Sequence, residues 1–363
     1  MPGVPVTDPP DPLAADLPAH ADADGAVAAD AADAAVAADA GLTLADVGED
    51  GLLARIFPRL APSPSALLGP GDDTAVVAAP DGRVVATTDV LVEGRDFRRD
   101  WSGGYDVGWR AAAQNLADVA AMGAVPTALL VGLVAPQDLL VAWAVELADG
   151  LSAACENTGA GVVGGDLSSG DAVVVSVTAL GDLQGRRAVL RSTARPGDVV
   201  AVAGELGRSA AGFALLAAGR READPALVAA HLRPRPPYAA GPAAARAGAT
   251  AMLDVSDGLL RDLGRVARAS GVAVDLERAA LDREHLPAVR GAAAVLGADP
   301  WQWVLGGGED HALAATFPPT AALPAGFVPI GTVRAAGSDE RGIVLLDGAV
   351  PALSPGWDHF SGA

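Results

Sequence analysis

The sequence of 363 residues contains no lysine; all 25 of its basic residues are arginine. That excludes a P-loop nucleotidase, a Schiff-base enzyme and a pyridoxal-phosphate enzyme, because each needs a lysine amine. One cysteine, Cys155, excludes an internal disulfide and a multi-cysteine zinc site, and fits a reduced cytoplasm. Aromatic residues make up only 4% while hydrophobic residues reach 51%, so the core is expected to be aliphatic and built of small side chains. No apolar run approaches the ~20 residues needed to cross a bilayer. No basic stretch leads into an apolar one near the start, which predicts no signal peptide. Positive charge is also scarce: the net charge of −20 argues against nucleic-acid and anionic-membrane partners. A protein of that charge can still bind phosphates if metal ions supply the missing positive charge.

What is present begins with a tail. Residues 1–40 are Ala, Asp and Pro with hardly any large apolar side chain, and they predict a disordered acidic segment without assigned function. Residues 41–185 alternate helical and strand-like stretches and predict one α/β layer domain; residues 186–363 predict a second. Helices are expected over Asp46–Phe57, Tyr105–Met122 with Gly123 as C-cap, Asp138–Asn157, Arg208–Gly219 and Leu259–Ser270. Strands are expected over Pro126–Ala135, Ala160–Gly165, Ala172–Leu180, Val199–Ala203, Ala251–Val255 and Ala312–Phe317, with two more near Val328–Val333 and Ile343–Leu346. Ser256 is expected to cap the helix that follows it.

The stretch from Gly69 to Phe97 reads as a hairpin. Two β-branched runs, Thr74–Ala79 and Arg83–Thr88, flank the turn signal Pro80-Asp81-Gly82. A three-residue turn centred on Asp81 sets Asp73 opposite Asp89; a two-residue turn at Asp81-Gly82 shifts the register by one and still leaves Asp72, Asp73 and Asp89 close together. Such like charges call for a cation between them. Two readings stand at that point, a solvated acidic turn and a divalent-metal site. The same design recurs: Gly71-Asp72-Asp73, Thr87-Thr88-Asp89, Gly164-Gly165-Asp166 and Asp254-Val255-Ser256-Asp257 each lie where an apolar element meets a Gly- or Asp-rich loop. Asp118 is a fifth candidate, on a helical face shared with Gln114 at i−4 and Asn115 at i−3. An Asp at a turn or cap is ordinary, but repeated carboxylates and hydroxyls are hard donors suited to Mg²⁺, which shares its shell with phosphates. The pattern points to a nucleotide–metal site without a Walker lysine.

The segments GDDTAVV, TTDVLVEG, NLADVAAMGA, GGDLSSG, RSTARPGD, GELGRSAAG, HLRPRPPY, LDVSDGL, GGGEDHAL and GWDHF resemble, in this order, those of the thiamine-monophosphate kinase family. The resemblance runs over residues 44–360 and leaves out only the tail. It implies an α/β (α+β) fold of two domains like that of aminoimidazole-ribonucleotide synthetase, with N-terminal sheets paired in a homodimer. It implies transfer of a phosphoryl group from ATP to thiamine phosphate, giving thiamine diphosphate. Carried over by position, several Mg²⁺ ions would be bound by Asp73, Thr87, Thr88, Asp89, Asp118, Asp166, Asp254 and Asp257. Of these, Asp73, Asp89, Asp118 and Asp257 would serve catalysis directly. Gly165, Asp166, Arg191 and Ser256 match nucleotide-contacting positions, and Glu309 and Trp357 match positions that hold the thiamine moiety. The acceptor is a phosphate oxygen, ionised near neutral pH, so the obstacle is repulsion: about 4 kcal/mol per unit charge pair at ~4 Å in a dielectric near 20.

Two positions depart from the family. Where it has His in a Gly-x-His-Phe context contacting the substrate, this chain has Gly94-Arg95-Asp96-Phe97, and Asp96 is expected to weaken substrate binding with Arg95 compensating. Where the family has Tyr after Gly-Gly-Glu-Asp, this chain has His311, read as structural. The rivals are another ATP-dependent enzyme of the same superfamily and a non-catalytic nucleotide- or metal-binding module. A selenophosphate synthetase is disfavoured by the missing lysine and by the place of Cys155, mid-helix.

Overall fold

The computed structural model describes residue 39 and residues 41–71, 73–337 and 340–357. The acidic tail apart from Asp39, Asp72 of the first acidic segment, and positions 358–360 of the terminal motif lie outside them. Asp39, which the sequence assigns to the tail, is docked: its two carboxylate oxygens accept from Arg55 at 2.7 and 2.9 Å.

Helix α1 (Leu44–Ile56) starts where the Thr43 N–H and hydroxyl both donate to Asp46, and it passes into a single 3₁₀ turn at Phe57–Arg59 around Pro58. Two short strands, β1 (Ala66–Leu68) and β2 (Val76–Val77), then pair antiparallel. The expected hairpin does not form. Its turn is present, with Gly82 at φ +69° and its N–H on Ala79 O at 2.9 Å. The flanking segments, however, take other partners. Strand β3 (Val85–Val92) runs antiparallel to β6 (Val174–Asp182) in register from Val85 opposite Gly181 to Val92 opposite Val174. An eight-residue ladder satisfies far more backbone groups than the two-residue β2 can offer, so β3 is captured by β6. The supposed opposition of Asp73 and Asp89 goes with the hairpin.

Strands β4 (Val125–Ala135) and β5 (Val162–Ser169) complete a four-stranded sheet ordered β3-β6-β4-β5, with β4 and β5 parallel. β5 does not stop at Gly165, where its apolar run ends; it continues through Asp166, which pairs with Gly132. Helices α2 (Gly104–Ala121) and α3 (Val141–Cys155) cover one face of this sheet. Burial alternates accordingly along β6: Val175, Val177 and Ala179 are buried against the helices, while Ser176, Thr178 and Leu180 face the other way and are half-buried. The two helices cross with their backbones in contact. A Cβ at Gly104 would lie 2.0 Å from Trp143 O, one at Gly108 2.0 Å from Leu147 O, and one at Gly150 2.0 Å from Tyr105 O.

The second half holds a six-stranded sheet ordered β12-β9-β11-β7-β10-β8, formed by β7 (Val199–Ala203), β8 (Ala251–Val255), β9 (Ala273–Leu276), β10 (Ala312–Phe317), β11 (Phe327–Arg334) and β12 (Val344–Leu346). Its helices are α4 (Arg208–Ala217), α5 (Pro225–Leu232), α6 (Ala240–Arg246), α7 (Leu259–Ser270), α8 (Arg278–Glu284), α9 (Leu286–Leu296) and α10 (Pro300–Gly306). On one sheet face Leu259, Leu263 and Val266 of α7 join Val200, Val202 and Leu253 in a branched aliphatic core. The other face is made of smaller residues, Ala201, Ala203 and Ala315, with Met252, Leu313 and Phe317; Ala120 and Ala121 of α2 and Ala240 and Ala244 of α6 pack into it. Helix α2 therefore belongs to both cores and holds the halves together. α7 begins and ends as predicted, but its N-cap is Gly258, not Ser256. Gly258 turns at φ +126° against Gly306, and the N–H groups of Asp257 and Gly258 are met from within the helix by Asp262, at 2.9 and 3.1 Å. Ser256 lies too far upstream of the first turn to cap it.

Candidate active site

One side of α2 is polar inside an otherwise apolar helix. Arg110, Gln114 and Asp118 recur every four residues, so they form one stripe about 12 Å long. The stripe faces the middle of β3 and the end of β8. From β3, the Thr87 hydroxyl donates to Asp118 at 2.7 Å, and the Asp89 N–H donates to the side-chain oxygen of Asn115 at 3.1 Å. Asn115 is fixed in turn by donating to Ala111 O at 2.9 Å. From the second half, Asp254 at the end of β8 holds His311 Nδ1 at 3.1 Å, and Glu309 binds the guanidinium of Arg110. The cleft between the halves thus collects Thr87, Asp89, Asp118, Asp254 and Glu309 from four separate stretches of sequence.

Charge decides the character of this cleft. Burial raises the Asp118 carboxyl to about 7, the charges of Asp254 and Asp89 add to that, and the Thr87 hydrogen bond only partly offsets them. Asp89 is raised as well, by burial and by Asp254 and Glu309, against the pull of His311. Burial would lower His311, yet its bond to Asp254 and the charge of Glu309 lift it to about 9. Burial would raise Glu309, but the Arg110 guanidinium and then His311 outweigh it and hold the carboxyl at about 2. The cleft is an acidic chamber with two cations built in, and its three aspartates press on one another. The buried Nε2 of His311 has no hydrogen-bond partner among the described residues.

The sheet separates Thr88, Asp73, Gly165 and Asp166 from this cluster. Successive side chains of β3 point to opposite faces, so Thr88 turns away from Thr87; its hydroxyl donates to Val177 O at 3.0 Å and accepts from Thr178 at 3.1 Å. On that far face and around the β5 edge lies an open cavity of about 1070 Å³, lined by Asp73, Gly164, Gly165, Asp166, Ser176 and Thr178 among others. Asp73 therefore shares a cavity with Asp166 and not a hairpin with Asp89. Asp257 is engaged by Arg265 at 2.5 Å, and Arg265 also holds Asp262 at 2.5 Å. The turn carrying Asp257 is still close to the cleft, because the Ser256 carbonyl accepts the Glu309 N–H at 2.9 Å. Trp357 is placed by the same turn: its N–H donates to Asp257 O at 2.9 Å and its side chain is half exposed. Asp96 closes its own turn by accepting the Val92 N–H at 2.8 Å. Arg191 is exposed at the surface, its carbonyl accepting from Ser270.

Among the described residues no three Asp, Glu, His or Cys side chains are already grouped to hold a metal ion. The donor chemistry nevertheless suits magnesium: all the candidates are hard oxygens, and a cation in the cleft would relieve the repulsion among its buried aspartates. Sequence reasoning missed Arg110, although it lies one turn before the Gln114–Asp118 pair and is the only basic residue of its helix. It also missed Asp310, whose two oxygens accept the N–H groups of Gly207 and Ser209 at 2.6 and 2.7 Å and hold the start of α4. His311, read as structural, lies inside the acidic cluster.

Comparison with known proteins agrees with this architecture. Residues 71–183 match the family model of the AIR synthase related protein N-terminal domain, and residues 195–345 that of the C-terminal domain. The thiamine-monophosphate kinase of Mycobacterium tuberculosis (strain ATCC 25618 / H37Rv) is 51% identical over 320 residues, covering 88% of this chain and 93% of that protein. That of Corynebacterium glutamicum is 41% identical over 327 residues, covering 88% and 96%. A solved structure, AaThiL complexed with AMPPCP and TMP, superposes with a TM-score of 0.69 at 33% identity, covering 88% of this chain and 99% of that one. Both halves of the chain, in order and nearly entire, belong to the thiamine-monophosphate kinase family, within the AIR synthase related proteins.

Proposed function

We propose that the chain transfers the terminal phosphoryl group of ATP to thiamine phosphate, releasing ADP and thiamine diphosphate. One observation carries the reading: a single helical stripe, Arg110 to Asp118, links a recognition end at Glu309 to an acidic end at Asp118, Asp89 and Asp254. A related protein, AaThiL, is complexed with AMPPCP and TMP, which supports ATP as co-substrate and thiamine phosphate as acceptor.

The residues divide the work by position. Glu309, kept ionised by Arg110, accepts a hydrogen bond from the amino group of the pyrimidine, and Trp357 covers the cationic thiazolium. Gly165, Asp166, Arg191 and Ser256 would serve the nucleotide; Gly165 and Asp166 line the cavity beside β5, Ser256 lies on the turn bound to Glu309, and Arg191 is at the surface. The acceptor oxygen is already ionised, so no side chain has to remove a proton. The task is alignment of two anions in line for displacement. Asp89, Asp118, Asp254 and Thr87 on the helix side would hold Mg²⁺, which when bound neutralises the facing phosphates and stabilises the charge spreading in the transition state. Asp73, Thr88 and Asp166 face the other side of the sheet, and Asp257 is engaged by Arg265. Thr87 orients Asp118, and Asn115 orients the β3 backbone at Asp89.

The far face of the N-terminal sheet supports a homodimer. Val90 and Leu130 stand 48% and 38% exposed on it, beside Leu180. No helix among the described residues is long and apolar enough to cross a membrane, and with a single buried cysteine we place the protein in the cytoplasm. Incubation of the purified full chain with ATP, Mg²⁺ and thiamine phosphate is expected to yield thiamine diphosphate and ADP in equal amounts. Bound ATP without thiamine diphosphate would overturn the kinase reading in favour of a nucleotide-binding module.

A further inference from the structure

The ion pair between Arg110 and Glu309 spans the cleft in an unusual way. An arginine commonly meets a carboxylate fork to fork, spending both oxygens. Here Nε, at 3.0 Å, and Nη2 both converge on Oε2. Among the described residues no hydrogen bond engages Oε1, and the Glu309 side chain remains 40% exposed while Arg110 is nearly sealed, at 8%. The acceptor is held from three directions. Its side chain is pinned by Arg110; its own N–H is bound to Ser256 O; and the next residue, Asp310, is locked onto the start of α4 by two N–H groups. The backbone at Glu309 sits at φ +67°, a left-handed conformation that a non-glycine residue keeps only where its surroundings impose it.

We propose that Arg110 is a positioning residue that fixes Glu309 with one oxygen presented to the cleft, and so sets the specificity for an acceptor substrate bearing an exocyclic amino group. The inference rests on the kinase reading above and adds to it the device that makes Glu309 selective. An ionised carboxylate held in one orientation accepts from N–H₂ and repels a carbonyl at the same position. If Glu309 were free to rotate, or paired fork to fork, it would discriminate weakly. Arg110 lies on the helix that carries Asp118, so recognition of the ring and placement of the phosphate are referred to one rigid element.

The test compares thiamine phosphate with its analogue carrying an oxo group in place of the pyrimidine amino group. Wild-type enzyme should prefer the amino compound in kcat/KM. In Arg110→Gln that preference should fall by about ten- to a hundredfold, with KM for thiamine phosphate rising and KM for ATP moving less than about twofold. Arg110→Lys, which keeps the charge but lacks the fork, should recover part of the KM and little of the preference. The double variant Arg110→Gln/Glu309→Gln should be no worse than either single variant, and it keeps the test open if Arg110→Gln alone folds poorly. An unchanged preference in Arg110→Lys or Arg110→Gln, or KM values for both substrates rising in step, would overturn the role of Arg110 alone. Wild-type enzyme inactive on thiamine phosphate would overturn the kinase reading beneath it.

Discussion

Two carboxylates in contrasting settings carry the predictions at the scale of single residues. Asp310 is half-buried behind the cleft, where desolvation outweighs the N–H groups of Ser209 and Gly207 and raises its carboxyl from 3.8 to about 7. The folded chain therefore keeps a proton that the unfolded chain gives up, and the stability from this group is complete below 3.8 and lost as the pH rises toward about 7. In Asp310→Asn the amide can accept only one of the two N–H groups, at a cost of about 1–3 kcal/mol. Urea unfolding across this range should show the wild-type advantage over Asp310→Asn shrinking as pH rises; a constant difference would refute the assignment. Asp96 presents the opposite case, at the surface and bound to its own turn. The resemblance implies a substrate-contacting histidine at this position, and removing the negative charge of Asp96 should favour an anionic substrate. Asp96→His is expected to lower KM for thiamine phosphate severalfold, with a loss of about 1 kcal/mol of stability from the broken turn contact. No fall in KM counts against that role.

At the scale of elements, the crossing of α2 and α3 explains how a chain poor in aromatics builds a stiff site. Glycines on both helices let the backbones touch, which sets the height of the Arg110–Asp118 stripe above β3. A methyl at Gly108 would meet backbone atoms of Leu147 and cannot be relieved by a rotamer change. Gly108→Ala should therefore destabilise the protein by about 1–3 kcal/mol or more by forcing the helices apart. At Gly291, in α9, a methyl would have nothing within 4 Å of it, so Gly291→Ala is the control and should be neutral or stabilising by up to ~1 kcal/mol. Equal denaturation midpoints for the two variants would sink this account. The hairpin teaches a related lesson. Its turn residues were legible, since Pro80-Asp81-Gly82 is a local signal, but the partner of the strand after it was not. Pairing of β3 with β6 closes a gap of some eighty residues, and nothing in the local pattern distinguishes that ladder from a nearer one.

For the whole molecule, the proposed homodimer rests on one face of the N-terminal sheet. Val90→Asp or Leu130→Asp would set a charge among apolar neighbours there, and an interface of standard size, about 800 Å² per partner, tolerates that poorly. Sedimentation should show a dimer for the wild type and monomer for either variant; a wild-type monomer would exclude this assembly. The same sheet shows why the site is divided. Its helix face meets the second half through α2, while its other face carries the cavity with Asp73 and Asp166. The halves are joined by Ala120 and Ala121 of α2 packing with Ala240 and Ala244 of α6.

The sequence by itself left helices α5, α6 and α8–α10 and strand β9 unread, but it determined the types of the strongly patterned elements, the alternation that makes both halves α/β, the exclusion of lysine chemistry, and most of the acidic residues on which the site draws. These are properties of local spacing and composition, and strands such as Val199–Ala203 and Ala251–Val255 stand where their apolar runs predict. Tertiary structure alone decided which of those residues meet. It placed Asp89 and Asp118 against Asp254 and sent Asp73 and Thr88 to the other face. It also paired Asp257 with Arg265 and brought Arg110 to Glu309 across 199 positions of chain. Such contacts depend on which strand a sheet recruits and how closely two helices pack, and those follow from the summed burial and backbone pairing of the whole chain.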